Sequence, residues 1–259
     1  MGKQYQGSIN TFDYPHYGEQ MGRVHFIGGE KGGVGKSLTA RLLAQYFIDN
    51  QLAFIGFDTD QSHGTFSRFY ADFASPIIVE DFDSLDEIVA TAEEQPNIDI
   101  IVDLAAQTSR KLEQWMDDSG VFDIFTELDY QIFLWHVMDD GADSMRLLDK
   151  LLDKYSNTSA QIIVLCNMGR GENFDDAKQS PTFEKARASN AKFITLNKLQ
   201  PRLMQKLDFN DYSFWAAANN SDAMSITERQ RIKVWLNNSF SEFSKALKQT
   251  EVSPLDYAE

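Results

Sequence analysis

Residues 24–37 read VHFIGGEKGGVGKS, an apolar run followed by a glycine-rich turn that ends in Lys36 and Ser37. Helical patterning follows directly, over residues 37–49. A glycine-rich turn between a strand and a helix is suited to bind phosphate, because its backbone N–H groups turn inward and the helix start adds unpaired donors. Lys36 would then reach the β- and γ-phosphates, and the Ser37 hydroxyl would ligate Mg²⁺. The stretch therefore predicts a phosphate-binding loop for a nucleoside triphosphate.

The rest of the chain alternates short apolar runs with longer periodic segments, which is typical of parallel strands joined by helices. Several runs are continuously apolar, as expected when helices cover both faces of a sheet. We predict an α/β fold with a doubly wound, mostly parallel sheet. The predicted strands span residues 24–27, 53–57, 76–79, 98–102, 131–135, 162–165 and 192–196. The predicted helices lie near residues 37–49, 84–95, 108–118, 140–155 and 182–189.

The strand pattern stops after residue 200, and a helical C-terminal segment follows. Over residues 227–248, apolar side chains recur at three- and four-residue steps and form one stripe. We expect this stripe to pack against the domain. A helix lying on a membrane surface is the alternative, which the mixed polar face and the acidic tail disfavour. The stripe consists of Ile232, Trp235, Leu236, Phe240, Phe243 and Leu247.

The predicted organisation is a flexible arm over residues 1–22, a single domain over 23–250 and an acidic tail over 251–259. The length suits one large α/β domain. The arm either is a disordered leader or docks its aromatic residues on a partner. Those aromatic residues are Tyr5, Phe12 and Tyr14.

Composition and charge restrict the classes of function. The formal net charge of -15 opposes attraction to the DNA backbone, so we expect no direct nonspecific DNA binding. The single cysteine, Cys166, lies in an apolar run and is expected in the core. No run is long and apolar enough to span a membrane, and no signal peptide is recognised, which predicts a cytoplasmic location.

Residues 31–37, KGGVGKS, resemble the deviant phosphate loop of the ParA/MinD superfamily of P-loop ATPases. Glu30 stands where the ordinary motif has its first glycine. The resemblance implies that Lys31 reaches across a dimer interface to the partner's phosphates. It therefore implies a homodimer in the ATP-bound state, with hydrolysis coupled to assembly.

The stretch after the second predicted strand, Asp58-Thr59-Asp60-Gln61, resembles the D-x-D-P-Q segment of ParA proteins, with Gln61 in place of proline. The resemblance implies that Asp58 lies in the outer shell of Mg²⁺ and that Asp60 orients the attacking water. Side chains at alternate positions of a strand point to the same side, so the carboxylates of Asp58 and Asp60 can both face the phosphates. His63 is a weaker candidate for a general base, since a loop can simply carry a solvated histidine.

Two further strand ends carry polar residues. The apolar strand that ends in Asp103 has the arrangement that holds Mg²⁺ through water in P-loop enzymes. Ala105 and Ala106 replace the Pro-Pro that often follows in relatives, which leaves the shape of this loop open. Asn167 resembles an asparagine with which relatives read the adenine edge; a plain strand-ending turn is the alternative.

The expected ligands are ATP and Mg²⁺. The catalytic candidates are Lys31, Lys36 and Asp60. The nucleotide-binding candidates are Gly32, Gly33, Val34, Gly35, Lys36, Ser37, Leu38 and Asn167. The metal candidates are Ser37, Asp58 and Asp103.

Within the superfamily, the branches that hold an iron–sulfur cluster or metal between subunits need cysteine pairs, which one cysteine cannot supply. What remains is an ATPase that positions, partitions or assembles an unidentified protein partner or cargo. Short stretches also resemble ParA-type ATPases encoded with plasmid conjugation and mobilisation genes. The alternatives are a metabolic ATP-dependent ligase or kinase on the same fold, and a nucleotide-bound scaffold without hydrolysis.

Overall fold

The computed structural model describes residues 21–248, which form a parallel seven-stranded sheet flanked by eleven helices. The predicted tail, and the predicted arm except for its last two residues, lie outside this range. The strands are β1 (Gly22–Gly28), β2 (Phe54–Asp58), β3 (Ala74–Pro76), β4 (Asp99–Asp103), β5 (Tyr130–Met138), β6 (Gln161–Asn167) and β7 (Lys192–Leu196). The helices are α1 (Lys36–Asp49), α2 (Thr65–Phe69), α3 (Phe82–Glu94), α4 (Ser109–Asp118), α5 (Val121–Glu127), α6 (Ala142–Tyr155), α7 (Asp175–Lys178), α8 (Pro181–Ala188), α9 (Pro201–Phe209), α10 (Phe214–Asn219) and α11 (Ile226–Leu247).

The strand order is β3-β2-β4-β1-β5-β6-β7, which places β1 at the centre of the sheet. From β1 the chain crosses to β2 on one side, and from β4 it crosses to β5 on the other. In such sheets, ligands bind outside the carboxyl ends of the strands where the direction of crossing changes. Here that position is the end of β1, from which the glycine-rich loop leaves.

Successive residues of the central strands point to opposite faces, and each face is covered by helices. Phe26 packs with helices α3 to α6 and α8, whereas its neighbour Ile27 packs with α1 and the C-terminal helices. The two faces carry separate apolar cores. The predicted doubly wound sheet is therefore confirmed.

The C-terminal helix α11 packs its predicted stripe onto the domain. Trp235 and Phe243 are buried, and Phe240 is partly buried. A capping box at Ser225 and Glu228 begins the helix, because each side chain accepts a bond from the other residue's backbone N–H. The interpretation as a packing helix is confirmed, and no helix in residues 21–248 is long and apolar enough to cross a membrane.

The structure departs from the predicted elements in two ways. The third strand spans Ala74–Pro76 rather than 76–79, because the chain leaves the ladder at Pro76 while Ile77 still donates its N–H to the Asp58 carbonyl. Five helices of four to nine residues, α2, α5, α7, α9 and α10, were not predicted individually. Helices this short show too few turns for an apolar period to be recognised.

A buried ion pair joins β1 to β4 near their amino ends, at the edge opposite the glycine-rich loop. Arg23 donates from Nε and Nη2 to the two carboxylate oxygens of Asp99, at 2.6 and 2.7 Å. The buried His25 ring lies 3.6 Å from the same carboxylate. Since Arg23 and Asp99 are register partners across the two strands, the pair fixes the central pairing of the sheet.

We expect Asp99→Ala to lower the free energy of unfolding by about 3–5 kcal/mol, because it leaves the buried Arg23 guanidinium unpaired. Chemical denaturation of the two proteins measures the difference. The control is Asp117→Ala, which breaks an exposed pair with Lys154 and should cost less than about 1 kcal/mol. Equal costs for both variants would contradict the structural role of the pair.

Candidate functional site

The glycine-rich loop connects β1 to α1 and lines an open cavity of about 390 Å³, hereafter the phosphate cavity. Gly33 and Gly35 have backbone φ angles of 77° and 107°, a conformation that would be strained for a residue with a side chain. A Cβ at Gly35 would lie 2.4 Å from the Asn167 amide nitrogen, whereas one at Gly33 would meet no atom within 4 Å. The loop is therefore packed tightly on its inner side and open on its outer side.

Most of the predicted nucleotide-binding residues line this cavity. They are Gly32, Gly33, Gly35, Lys36, Ser37 and Leu38. Val34 differs, because its side chain is in the core and its carbonyl accepts a bond from Asn167. Burial lowers the pKa of Lys36, although the carboxylates of Asp103, Glu30 and Asp60 oppose this shift.

Asp58 and Asp103 are register partners at the carboxyl ends of β2 and β4. Both carboxylate oxygens of Asp103 are buried without a hydrogen-bond partner among residues 21–248. Burial raises the pKa of this carboxyl to about 8, while the nearby Ser37 hydroxyl and Lys36 ammonium act in the opposite direction. Buried carboxylates normally have partners, so these two oxygens fit a site for a hydrated cation.

A metal ion bound by protein side chains alone does not fit this site. Within residues 21–248, no three or more His, Cys, Asp or Glu side chains are grouped to hold an ion. In P-loop enzymes, one hydroxyl, water and phosphate oxygens supply the remaining ligands of Mg²⁺. Ser37 and Asp103 therefore fit that kind of site.

Both carboxylate oxygens of Asp58 accept hydrogen bonds from neighbouring residues of the chain. Oδ1 accepts the backbone N–H of Asp60 at 3.0 Å, and Oδ2 accepts the N–H and hydroxyl of Ser67 at 2.9 and 3.1 Å. These bonds tie the loop over residues 59–64, hereafter the β2 loop, to helix α2. Asp58 thus has a structural role, and its place in a metal's outer shell stays a prediction.

Asp60 lines the phosphate cavity and is partly exposed. Its Oδ1 accepts the backbone N–H groups of Ser62 and His63, which fixes the carboxylate in the β2 loop. The His63 ring is 78% exposed and lies 3.5 Å from the same carboxylate. This geometry suits a solvated histidine, and Asp60 is the group that faces the cavity.

Thr59, which the sequence analysis did not single out, joins the β2 loop to the loop over residues 104–108, hereafter the β4 loop. Its N–H donates to the Asp103 carbonyl at 3.0 Å, and its hydroxyl accepts the Ala105 N–H at 2.8 Å. A proline at position 105 has no N–H to donate. Alanine at position 105 therefore permits this link between the loops.

Glu30, the residue that departs from the ordinary motif, reaches the start of α4. Its Oε1 accepts the Ser109 N–H at 2.8 Å. A carboxylate at a helix start is favourable, because it satisfies an unpaired donor and faces the positive end of the helix dipole. Glu30 therefore connects the phosphate loop to the end of the β4 loop.

Lys31 points away from the phosphate cavity. Its Nζ lies 2.6 Å from Asp139 Oδ2, in the loop over residues 139–141 after β5, and this hydrogen bond raises the pKa of Lys31. Asp139 also accepts bonds from the Ser144 hydroxyl and the Gly141 N–H. Burial alone would raise the pKa of Asp139, but these three donors hold it below its usual value. Asp139 carried no recognisable signal in the sequence.

Asn167 is buried at the end of β6 and holds the phosphate loop. It donates from Nδ2 to the Val34 carbonyl at 2.7 Å and accepts the Gly169 N–H at 2.9 Å. It also lines a second cavity of about 230 Å³ next to the phosphate cavity, with residues 197–199 and Pro201. Contact with adenine stays a prediction. Its neighbour Cys166 is buried as predicted, and burial raises the pKa of the thiol to about 11.

The central β1, the loop that follows it and the carboxylates at the ends of β2 and β4 define a P-loop fold, and the sequence of that loop resembles the ParA/MinD type. Two known proteins are similar to the chain in sequence. The chain is 23% identical over 249 residues to Protein TraL of Escherichia coli, covering 87% of this chain and 99% of that protein. It is 20% identical over 154 residues to Protein MobD of Acidithiobacillus ferrooxidans, covering 59% and 67%.

Among solved structures, the chain is similar to the MinD cell division protein of Aquifex aeolicus. The TM-score is 0.48 at 13% identity, over 85% of this chain and 97% of that chain. No family model matches the sequence.

The link between the β2 and β4 loops can be tested with Thr59→Val, which removes the hydroxyl at nearly constant shape. The Ala105 N–H loses its acceptor, so we expect its hydrogen exchange to accelerate about tenfold or more and stability to fall by about 1–3 kcal/mol. Thr59→Ser keeps the hydroxyl and should exchange like the parent protein. Unchanged exchange at Ala105 in the valine variant would contradict the link.

Proposed function

We propose that this chain binds and hydrolyses ATP with Mg²⁺ and forms a homodimer in the ATP-bound state. In this role it acts as a switch in the positioning, partition or assembly of a protein partner or cargo, with plasmid transfer as the favoured process. The proposal rests chiefly on the two lysines of the phosphate loop. Lys31 and Lys36 lie three and eight residues after Gly28, where β1 ends, yet their side chains face different surroundings.

Nucleotide binding is supported by the shape and charge of the phosphate cavity. The loop is open at Gly33, Lys36 lines the cavity, and the start of α1 offers unpaired N–H donors. Both carboxylate oxygens of Asp103 are buried without a hydrogen-bond partner in the described part of the chain. Bound Mg²⁺ would neutralise charge on the transferred phosphoryl group, and Ser37 with Asp103 would hold it.

The position of the Lys31 side chain supports the proposed dimer. Lys31 does not line the phosphate cavity of its own chain, and its side chain is 34% exposed beside Asp139. A second copy that brings its triphosphate to this face would offer Lys31 a stronger anionic partner than a single carboxylate. Lys31 would then stabilise charge in the partner's site, which makes hydrolysis depend on assembly.

Hydrolysis is supported by Asp60, whose carboxylate is fixed by two backbone N–H groups and faces the phosphate cavity. A carboxylate held in this way can orient a water molecule for attack on the terminal phosphate. A scaffold that never hydrolyses ATP would not need it. A metabolic ligase or kinase, in turn, would not need Lys31 outside its own cavity.

The process is supported by the relatives named TraL and MobD, which agree with the sequence resemblance to ATPases encoded with conjugation and mobilisation genes. The net charge of -15 favours a protein partner over direct nonspecific DNA binding. A cytoplasmic location, where ATP is available, completes the proposal.

The two lysines provide the test. Lys36→Ala should weaken ATP binding about 10- to 100-fold, because it removes a charged donor within the same chain. Lys31→Ala should keep ATP affinity within about threefold but slow hydrolysis about 100-fold or more. Calorimetry measures binding, and phosphate release measures hydrolysis.

The control is Lys111→Ala, which removes an exposed lysine of α4 and should match the parent protein in both assays. Equal loss of ATP affinity in the Lys31 and Lys36 variants would show that Lys31 acts within its own chain. Absence of ATP binding by the parent protein would exclude the proposed function altogether.

A further inference from the structure

The phosphate cavity and the adjoining cavity behind Asn167 meet along a short border. Four residues line both cavities: Leu38, Arg170, Met204 and Asp208. If the phosphates occupy the first cavity and the base occupies the second, as the proposed function implies, the sugar that joins them must lie at this border. The border residues therefore face the sugar.

Resting on that proposed function, we propose that Asp208 binds the ribose hydroxyl groups of the nucleotide and that Arg41 is the residue that positions it. Ribose hydroxyls donate hydrogen bonds readily to a carboxylate. Of the two polar residues at the border, Arg170 can donate to a ribose oxygen, whereas Asp208 can accept the protons of both ribose hydroxyls on a charged carboxylate. The Asp208 side chain is 50% exposed, so a ligand can reach it.

Arg41 holds the Asp208 carboxylate in place through a hydrogen bond. It lies on α1, one turn after Ser37, and its Nη1 donates to Asp208 Oδ1 at 3.0 Å. Its side chain is only 4% exposed, and its guanidinium carbon lies 3.5 Å from the ring centroid of Phe69 and 4.9 Å from that of Phe214. This packing leaves the guanidinium few alternative positions.

The Arg41 charge also makes an acidic residue compatible with a nearby polyphosphate. A carboxylate close to phosphates is ordinarily repelled, and a fixed guanidinium beside it offsets that repulsion. Arg41 occupies Oδ1, and Oδ2 accepts no hydrogen bond from the described residues 21–248. That second oxygen is the one available to a hydroxyl group.

A purely structural role for Asp208, as the partner of a buried arginine, predicts different behaviour from a ribose site. Nε and Nη2 of Arg41 already lack hydrogen-bond partners among the described residues. Removal of the Asp208 carboxylate would therefore leave the buried Arg41 guanidinium without an ion-pair partner. Asp208→Asn separates the two roles. An asparagine oxygen can still accept from Arg41, but an NH₂ group replaces Oδ2; it cannot accept a hydroxyl proton, and the neutral bond that it can donate to a hydroxyl oxygen is weaker than a bond to a carboxylate.

The experiment compares the affinity of the full-length protein for ATP and for 2′,3′-dideoxy-ATP, by calorimetry with Mg²⁺. We expect the parent protein to bind ATP about tenfold more tightly, since hydrogen bonds to a charged acceptor are lost in the analogue. In Asp208→Asn the ratio of the affinity for ATP to the affinity for 2′,3′-dideoxy-ATP should fall to about one or two, because ATP binds more weakly. Asp222→Asn, an equal charge change at an exposed position outside both cavities, should keep the parent ratio.

Equal affinity of the parent protein for the two nucleotides would overturn the ribose site, and that measurement needs no variant to fold. A parent-like ratio in Asp208→Asn would overturn it as well and would leave Asp208 as the structural partner of Arg41. If the parent protein binds neither nucleotide, the proposed function fails with it. These results are distinguishable, because only the last one removes ATP binding.

Discussion

The parallel pairing of β1 with β4 and β5 is the constraint on which the site depends. It aligns Ile27 with Asp103 on one side and with Trp135 on the other, so the loops after three strands leave from one edge. Asp58 joins the same edge through the pairing of β2 with β4. Because parallel strands need crossover helices, the same pairing buries both faces of the sheet. Fold and site therefore follow from one arrangement of backbone hydrogen bonds.

Hydrogen bonds then connect the loops at that edge to one another. Thr59 joins the β2 loop to the β4 loop, Glu30 joins the phosphate loop to α4, and Asn167 joins it to the end of β6. Each bond has a backbone group as one partner, so a shift of one loop breaks or strains a bond to the next. A ligand that moves the phosphate loop would thus move its neighbours too, which is the property that a switch requires.

The sequence was sufficient to predict the sheet, the phosphate loop and the carboxylates, because these features depend on neighbouring residues. Apolar runs located six of the seven strands, whereas the third was placed over residues 76–79 and ends in the structure at Pro76. The partners of the site residues were not predictable in this way. Asp139 lies 108 residues from Lys31, and Ala105 lies 46 residues from Thr59. Such pairs are set by the order of strands in the sheet, which one sequence does not contain. The hydrogen bond between Asp208 and Arg41 likewise forms only when α9 is packed beside α1.

We infer that the γ-phosphate draws Lys31 away from Asp139 and into the site of a second copy. Light scattering on the parent protein with Mg²⁺, in ADP and in a slowly hydrolysed ATP analogue, tests it most directly. We expect the mass of one chain in ADP and of two chains in the analogue, since only a γ-phosphate gives Lys31 a partner across the interface. The same mass with both nucleotides would contradict it.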